Sequence, residues 1–498
     1  MQMNIYSFLE ENAREFQNKI CLRYKGEDMT FSELNRITSS FGNALRKKGI
    51  SRGDRIVIML PNCPEFVISY MGIVGIGAVA VPVNPSFTAR ELWHILSDSG
   101  SRGIILEKRR LPVLEKLTGK VSLDIVITTG TEGNFKDYTN GPSMNAPEDM
   151  DADDTAVIVY SAGLTGHPMG AMLTHRNLDH NSDLLRLCFE ADHTDTTLTL
   201  IPCFHTFSVS ANMLPMIRYG GTIYLMNKLD FKELRYAITE GGVSCISGVP
   251  TLFYALTHHP ELQDVDYRSM RGLISGGSAL PIEVYKEFKN RFNADIHQGY
   301  GLTEASPVCT VNDIHVKLKP ESIGPTVPGV EARVVDDEGK VLTSNQVGEL
   351  EFKGPNVMKG YFNRPKETSE VMHDGWLKSG DLGYMDEEGY LYITGYKKQM
   401  IITSGFNVYN KEVEDVLNSY PGVRDSAITG EPDLIRGAIV KAFIVKDDPG
   451  ISENDIKRFA RESLAPYKSP RKIVFVKSIP RDNMGKIILD EIKEPDQP

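Results

Sequence analysis

The sequence lacks any block of basic residues. Its 55 Lys and Arg residues are outnumbered by 66 Asp and Glu residues, and the formal net charge is −11. Surfaces that bind nucleic acid depend on clustered positive charge. The charge pattern therefore argues against a nucleic-acid partner, although it leaves room for a local basic patch at a phosphate site.

Cysteine is scarce and shows no pairing pattern. The six cysteines are scattered along the chain and none of them forms a CxxC pair. Neither a disulfide framework nor a zinc site is indicated. Because free cysteine is among the most often buried residue types, we expect most of these side chains to be buried thiols.

Long apolar runs are also missing. The longest, Met71–Val83, contains three glycines and is too short to span a bilayer. The first residues do not combine a basic segment with a following apolar one, so no signal peptide is indicated. We expect a cytoplasmic protein without integral membrane association.

The length and the residue patterns predict several folding units. A chain of 498 residues is too long for one core and suits two or more domains. Strand and helix patterns alternate through the first 150 residues and again from 177 to about 296. Such alternation predicts parallel sheets covered by helices on both faces. The sequence thus predicts an α/β fold with two layered halves.

The pattern changes in the last third of the chain. From about 321 to 394, short strands and turn signals such as Asp386–Gly389 predict a small β-rich unit. After the Lys397–Lys398 pair, mixed helix and strand patterns continue over roughly a hundred residues, a usual domain size. We expect an N-terminal domain over 1–395, a hinge at 396–399 and an α+β C-terminal domain over 400–498.

The most informative segment is Tyr160–Gly170, which reads Tyr-Ser-Ala-Gly-Leu-Thr-Gly-His-Pro-Met-Gly. It follows Thr155–Val159, an apolar run that predicts a buried strand. Glycines and hydroxyl side chains at this spacing let backbone N–H groups approach an anion. Taken alone, the segment fits a phosphate-binding loop and also a glycine-rich surface turn.

Later motifs favour the phosphate-binding interpretation. They are Gln298–Glu304, Lys378–Asp381, Ile393–Ile402, Ser404–Tyr409 and Ile479–Lys486. With the glycine-rich segment, they resemble in order the conserved elements of the acyl-adenylate-forming synthetases, including Y-G-x-T-E, S/T-G-D and a terminal P-R-x-x-x-G-K. The resemblance covers essentially the whole chain. It implies a large α/β N-terminal domain and a small mobile C-terminal domain.

The resemblance implies a site for ATP and Mg²⁺. The residues implied to line the triphosphate are Ser161, Gly163, Thr165 and Gly166. Thr303 would contact the α-phosphate and Glu304 would hold Mg²⁺. Asp381 would accept hydrogen bonds from both ribose hydroxyls, a role that suits a carboxylate. Tyr300 would stack on adenine beside Gly276 and Gly277.

Two further residues are implied to act on the acid. Lys486 resembles the family's catalytic lysine, which bridges the substrate carboxylate and the α-phosphate. A compact positive charge there would hold two anions together, although a lysine so near the C-terminus is also typical of a solvated surface. His205 resembles a histidine at the mouth of the acyl pocket, and a packed histidine beside aromatic residues is the alternative.

The acid and its acceptor are suggested by two other segments. No charged residue occurs in 207–216 or 275–280, so a monocarboxylic, apolar acid is favoured, whether these segments line the acyl pocket or belong to the core. Ser404–Tyr409 resembles the segment of fatty-acid and aryl-acid CoA ligases in which a glycine, Gly405 here, helps to build the pantetheine tunnel. Coenzyme A is therefore the predicted acceptor.

Three positions depart from the family pattern. Met169 stands at the loop lysine, Tyr396 at an arginine implied to lie near the phosphates, and Gln399 at the acidic hinge residue. The first two changes remove positive charge, and charge-assisted contacts to phosphate are strong. A slow ligase, an enzyme with altered pyrophosphate handling and a non-catalytic relative are the three interpretations. Lys398 and Gln399 are the predicted pivot.

We predict an ATP-dependent, AMP-forming acyl-CoA synthetase for a medium- or long-chain fatty acid. An aryl-acid CoA ligase and a catalytically weakened adenylate-binding relative are the alternatives. The expected partners are the carboxylic acid, ATP with Mg²⁺, and coenzyme A, and a homodimer is compatible with the sequence.

Overall fold

The chain divides into a large and a small compact unit. The computed structural model describes residues 2–161, 168–396, 400–433 and 436–480, together with 487, 489 and 492. The larger unit holds the described residues of Met1–Pro85, Leu96–Ser161 and Met169–Gly395. The smaller holds those of Ser86–Ile95, Ala162–Pro168 and Tyr396–Pro498.

The α-helices are distributed over both units. In chain order they are α1 (Ser7–Glu15), α2 (Phe31–Lys47), α3 (Pro64–Gly75), α4 (Ala89–Ser99), α5 (Leu111–Glu115), α6 (Phe135–Thr139), α7 (His175–Phe189), α8 (Thr206–Ser208), α9 (Leu214–Tyr219), α10 (Phe231–Thr239), α11 (Pro250–His258), α12 (Ile282–Phe292), α13 (Pro365–Val371), α14 (Asn410–Asn418) and α15 (Glu453–Ser463).

The described strands range from two residues in β17 to eleven in β23. In chain order they are β1 (Ile20–Tyr24), β2 (Glu27–Thr30), β3 (Arg55–Met59), β4 (Val79–Pro82), β5 (Gly103–Glu107), β6 (Ile125–Thr129), β7 (Thr155–Ser161), β8 (Met169–Thr174), β9 (Thr196–Thr199), β10 (Thr222–Leu225), β11 (Cys245–Gly248), β12 (Gly272–Ser275), β13 (His297–Gly301), β14 (Val308–Val311), β15 (Glu331–Val335), β16 (Gly348–Lys353), β17 (Gly360–Tyr361), β18 (Met372–His373), β19 (Trp376–Met385), β20 (Leu391–Tyr396), β21 (Met400–Thr403), β22 (Phe406–Tyr409), β23 (Val423–Asp433), β24 (Gly437–Lys446) and β25 (Lys472–Phe475).

Two large sheets form the α/β part of the larger unit. The first has the strand order β17-β8-β7-β4-β3-β5-β6, and the second β14-β13-β12-β11-β9-β10-β1-β2. Neighbouring inner strands such as β3 and β4, or β11 and β12, run parallel, as strand–helix alternation predicts. The two predicted halves are confirmed, but β1 and β2 from the N-terminus join the second sheet.

Local sequence signals explain several of these elements. The Thr30 side chain accepts a hydrogen bond from the N–H of Glu33 at the start of α2, and the Glu33 side chain accepts one from the Thr30 N–H, so the two residues form a capping box. All the residues of α3 from Phe66 to Gly75 are buried.

None of the helices in the described ranges is long and apolar enough to cross a membrane. All six cysteines are buried and free, as expected.

A third, five-stranded sheet corresponds to the predicted β-rich unit. Its order is β15-β16-β19-β18, with β20 paired to β19. The turn signal Asp386–Gly389 lies between β19 and β20, where the Asp386 carboxylate accepts the N–H groups of Glu388 and Tyr390. A short polar turn of this kind reverses the chain between antiparallel strands.

The smaller unit has its own core. Its three-stranded sheet has the order β23-β24-β25, and β21 pairs with β22 in a separate hairpin. Helix α15 begins at a Ser452–Asp455 capping box. Val413 of α14, Ile428 of β23 and Ile444 of β24 belong to one buried apolar cluster. This unit is therefore an α+β domain.

Candidate active site

Several predicted site residues lie at strand ends of the larger unit. Ser161 is the last residue of β7, and Tyr300 lies in β13 one residue before its end. A short 3₁₀ turn, Thr303–Ala305, follows β13, and Asp381 lies within β19. Because ligands of open α/β sheets bind beyond the carboxyl ends of the strands, this is the edge where a nucleotide site is expected.

Glu304 is the centre of the first cluster. Its side chain is only 7% exposed. Its Oε1 accepts hydrogen bonds from the Ser161 hydroxyl at 2.6 Å and from the Tyr361 hydroxyl at 2.7 Å. Its backbone carbonyl accepts the Met358 N–H at 2.8 Å. The structure thus brings together Ser161 and Glu304, which the resemblance assigned to the triphosphate and to Mg²⁺.

The surroundings of Glu304 fit a magnesium ion. Within the described ranges, no lysine, arginine or histidine forms an ion pair with this carboxylate, and no cluster of three or more metal-binding side chains occurs. A buried carboxylate without a cation costs free energy. Mg²⁺ usually uses one or two carboxylates plus substrate phosphates. A single buried carboxylate at the nucleotide edge matches that donor set.

Asp381 is held by a second set of contacts. The Tyr300 hydroxyl donates to Asp381 Oδ2 at 2.5 Å. The Asp381 N–H donates to Ser379 Oγ at 3.0 Å, and that hydroxyl donates to the Leu350 carbonyl at 2.7 Å. The carboxylate therefore has a defined orientation before any ligand binds.

The turn before Asp381 requires both glycine and a buried acid. Gly380 has φ +74°, a conformation that glycine adopts without strain. Its N–H donates to Oε1 of Glu349 at 3.0 Å, and Glu349 is 8% exposed. Glu349 thus positions the S-G-D turn from the neighbouring strand β16.

Tyr300 connects the strand end to Asp381. Burial, and next the Asp381 carboxylate, raise the pKa of the Tyr300 hydroxyl well above its usual value. The hydroxyl therefore stays protonated and can donate to Asp381. The ring centroid lies 5.7 Å from that of Phe352, in a tilted arrangement. Stacking of Tyr300 on adenine stays a prediction.

His205 and Gly276 both lie against Phe207. The His205 Nδ1 accepts the Phe207 N–H at 3.4 Å, and burial lowers the pKa of His205 to about 4. The imidazole is therefore neutral at pH 7. A Cβ on Gly276 would lie 3.1 Å from the Phe207 ring, and Gly277 has φ +80°. Glycine at 276 thus allows close approach of the aromatic ring.

The helix after His205 is irregular. Between α8 and α9 the residues Val209–Met213 form a π-helical segment, a feature that often marks functional sites. Val209 and Ser210 line a small, largely apolar cavity together with Val157, Val159 and Phe204. Its strand residues come from β4, β7 and β8 of the first sheet. This placement is compatible with the acyl-pocket interpretation of segment 207–216.

Met169 is buried in the core of the larger unit. It is the first residue of β8, pairs with Ser161 across the β7–β8 ladder and is 5% exposed. The Cβ of any residue replacing Gly170 would lie 2.5 Å from the Ile158 side chain. The position at which the family carries a lysine is thus part of the packed interior, which suits methionine.

The other predicted residues are distributed as follows. Gly163, Thr165, Gly166, Lys398, Gln399 and Lys486 lie outside the described residues. Tyr396 is the last residue of β20, and its side chain is also outside them. Gly405 has φ +81° and follows Ser404 at φ 51° in the turn between β21 and β22. Left-handed values at both positions are typical of a tight hairpin turn.

Two residues of the site, Tyr361 and Glu349, were not predicted from the sequence. Tyr361 lies 57 residues from Glu304 along the chain, and Glu349 lies 31 residues from Gly380. Each is part of a Gly-Tyr or Gly-Glu dipeptide, Gly360–Tyr361 and Gly348–Glu349. Such dipeptides carry no spacing signal of their own, so only the folded contacts identify them.

Comparisons with known proteins agree with this geometry. A family model described as AMP-binding enzyme matches residues 9–362, and one described as AMP-binding enzyme C-terminal domain matches residues 412–486. A long-chain-fatty-acid–CoA ligase of Bacillus subtilis (strain 168) is 34% identical over 530 residues, covering 98% of this chain and 94% of the relative.

Other relatives carry different acyl groups in their names. A feruloyl-CoA synthase of Amycolatopsis sp is 33% identical, with 97% of this chain and 96% of the relative covered. Among solved structures, o-succinylbenzoate CoA synthetase of Bacillus subtilis, bound with its product analogue, is similar with a TM-score of 0.89 and 28% identity. That match covers 99% of this chain and 98% of the other.

Proposed function

Because the chain belongs to the AMP-binding enzyme family, we propose that it is an AMP-forming acyl-CoA synthetase for a medium- or long-chain fatty acid. A carboxylate oxygen of the acid attacks the α-phosphorus of ATP, and the bond to pyrophosphate breaks. The thiol of coenzyme A then attacks the acyl carbon of the acyl-AMP, and AMP leaves. ATP, the acid and coenzyme A are the substrates.

The observation that carries the proposal is the buried Glu304 carboxylate at the carboxyl-end edge of the sheets. It lies within hydrogen-bonding distance of Ser161, the residue that begins the predicted phosphate loop. Mg²⁺ bound there would neutralise charge that builds on the phosphates. Asp381, oriented by Tyr300 and Ser379, would accept the ribose hydroxyls. Thr303, in the turn beside Glu304, would contact the α-phosphate.

The remaining catalytic cation in this proposal is Lys486. It would hold the acid carboxylate and the α-phosphate together, which lowers the entropic cost of the reaction. We place the domain boundary at residue 395 and the pivot at Lys398–Gln399. Rotation about that pivot would exchange Lys486 for the segment of Gly405, which serves the thiol step. Tyr396, at the end of β20, would border the nucleotide.

The acyl group is proposed from the apolar segments. Segments 207–216 and 275–280 carry no charge, and Phe207 lies against Gly276. A second carboxylate would find no cation in these segments. The neutral imidazole of His205 is compatible with a position beside an apolar chain. The fatty-acid relatives support this choice of substrate.

An aryl acid is the second candidate. The feruloyl-CoA synthase relative matches almost as well as the fatty-acid relatives do. A catalytically weakened relative is the third, and it is favoured by Met169, whose buried side chain leaves no cation at the loop-lysine position. Retention of Glu304, Thr303, Asp381 and Lys486 supports an active enzyme.

A substrate screen separates these three candidates. Saturated acids from eight to eighteen carbons and a set of cinnamic and benzoic acids are each incubated with ATP, Mg²⁺ and coenzyme A, and AMP is quantified. The proposal expects the highest kcat/KM on a saturated chain. Highest activity on an aromatic acid would replace it by the aryl-acid ligase. ATP binding without AMP release on any acid would show the weakened relative.

A further inference from the structure

Tyr361 makes a contact that the proposed reaction does not use. It lies in β17, is 4% exposed, and its hydroxyl donates to Glu304 Oε1 at 2.7 Å. The strand β17 pairs with β8, where Tyr361 is opposite Ala171. A tyrosine buried this deeply usually has a partner for its hydroxyl. Here that partner is the carboxylate proposed to hold Mg²⁺.

The backbone around Tyr361 is fixed independently of the hydroxyl. The Tyr361 N–H donates to Thr368 Oγ1 at 2.9 Å, and that hydroxyl donates to the Arg364 carbonyl at 2.7 Å. Three residues earlier, the Met358 N–H donates to the Glu304 carbonyl. The segment from Met358 to Tyr361 therefore holds both the main chain and the side chain of Glu304.

The two hydroxyl donors converge on one carboxylate oxygen. Ser161 and Tyr361 both donate to Oε1 of Glu304. Among the described residues no hydrogen bond to Oε2 is formed. Two donors on one oxygen fix the rotation of the carboxylate about its last side-chain bond.

We propose that Tyr361 is a positioning residue for the metal. Its hydroxyl holds Oε1 of Glu304, so that Oε2 is the oxygen left to bind Mg²⁺. Partners of this kind orient a metal ligand, and their loss commonly costs about 10- to 100-fold in metal affinity. The proposal rests on the function proposed above, because it takes Glu304 as the magnesium ligand.

A purely structural role for Tyr361 predicts a different result. Loss of one buried hydrogen bond would lower the stability of the fold. It would leave the metal dependence of nucleotide binding unchanged. The positioning role instead alters binding only when the metal is present. Metal-dependent and metal-independent affinities therefore separate the two roles.

The test uses Tyr361→Phe in the full-length protein. Affinity for ATP is measured by calorimetry with Mg²⁺ and again with EDTA, and Mn²⁺ binding in the presence of ATP is measured by electron paramagnetic resonance. We expect Mn²⁺ to bind about 10- to 100-fold more weakly. The ATP affinity in EDTA should stay within about twofold of wild type, because the hydroxyl does not act on the metal-free nucleotide.

The matched control is Tyr285→Phe. The Tyr285 hydroxyl donates to Asp295 Oδ1 at 2.7 Å, so the variant also removes a tyrosine-to-carboxylate hydrogen bond. Asp295 precedes the first residue of β13, whereas Tyr300 lies next to the last residue of that strand. This variant should leave both affinities unchanged. Raising Mg²⁺ should restore adenylate formation in Tyr361→Phe and have no such effect in the control.

Several outcomes would overturn the proposal. Unchanged Mn²⁺ binding by Tyr361→Phe, or equal weakening of ATP binding with and without metal, excludes the positioning role. If Tyr361→Phe does not fold, Tyr361→His takes its place, because its ring nitrogens reach less far than a phenol oxygen. If Tyr361→His binds the metal as tightly as wild type does, that result also excludes the positioning role. If Mg²⁺ does not strengthen ATP binding by the wild-type protein, the proposed function itself fails.

Discussion

Replacing Asp381 by asparagine should weaken nucleotide binding through the ribose alone. The substitution keeps the size of the side chain. The Tyr300 hydroxyl, now 2.5 Å from Asp381 Oδ2, can still donate to the amide oxygen. The turn held by Ser379 and Glu349 does not depend on the carboxylate. The variant therefore removes the negative charge and one acceptor while the local backbone is preserved.

The size of the effect follows from the contacts that are lost. A carboxylate facing the two ribose hydroxyls accepts two charge-assisted hydrogen bonds, whereas the amide offers one oxygen. Hydrogen bonds to charged groups contribute about 1.5–3 kcal/mol. Loss of one such bond corresponds to a roughly 10- to 150-fold weaker affinity for ATP. The free energy of unfolding should change by less than about 1 kcal/mol.

The assay compares two nucleotides on two proteins. Affinities of wild type and Asp381→Asn for ATP and for 2′,3′-dideoxy-ATP are measured by calorimetry with Mg²⁺ and without the acid. Removing the two hydroxyls from the nucleotide should weaken its binding to wild type strongly. The same change should weaken binding to Asp381→Asn much less. Such a cycle isolates the interaction between the carboxylate and the hydroxyls.

A control and a refuting result complete this test. The control is Asp386→Asn. The Asp386 carboxylate directly follows strand β19 and accepts a hydrogen bond from the Lys319 ammonium group at 2.7 Å. The control should leave both affinities within about twofold of wild type, because Asp386 contacts Lys319 and the turn after β19 rather than Tyr300 or Ser379. If Asp381→Asn weakens ATP and the dideoxy nucleotide by the same factor, Asp381 does not recognise the ribose, and the reasoning is wrong.

Three further predictions concern other parts of the chain. Lys486→Ala should slow acyl-AMP formation by about 10²-fold but slow thioester formation from supplied acyl-AMP much less, and equal losses in separate half-reaction assays would contradict its role. Burial lowers the pKa of His175 to about 4, so stability present above pH 6.5 should fall by up to about 3 kcal/mol as the pH drops from 6.5 to 4. Urea unfolding at several pH values tests this, and His175→Asn should flatten that part of the profile. Lys468, 6% exposed in the side chain, pairs with Glu91 and Glu412 inside the smaller unit, so Lys468→Met should destabilise that unit by about 3 kcal/mol. Limited proteolysis in urea measures the loss, and an effect no larger than that of Lys457→Met on α15 would refute it.

Local patterns in the sequence determined most of the elements. The capping box of α2, the apolar run of β7 and the turn after β19 each arise from neighbouring residues. Contacts between residues three or four apart depend little on the rest of the fold. The long strand β23 lay outside the sequence-based prediction, because its burial depends on pairing with β24.

Part of the candidate site could also be predicted from local sequence motifs. Glu304 and Asp381 belong to contiguous motifs, Gln298–Glu304 and Lys378–Asp381, which identify them without any structure. Their partners are distant in sequence. Ser161 and Glu304 are 143 residues apart, and Tyr300 and Asp381 are 81 residues apart. Their hydrogen bonds depend on how separate strands are placed, which no local pattern encodes.

Tertiary structure alone decided the burial of Met169 and the contact that Tyr361 makes with Glu304. In the sequence, Met169 stands where the family pattern has a positively charged lysine. In the fold it is a buried residue opposite Ser161, because β7 and β8 pair as antiparallel strands. Tyr361 reaches Glu304 because β17 pairs with β8 on the other side. Sequence determines which residues can carry the chemistry, whereas strand pairing determines which of them meet, since hydrogen bonds form only over a few ångströms.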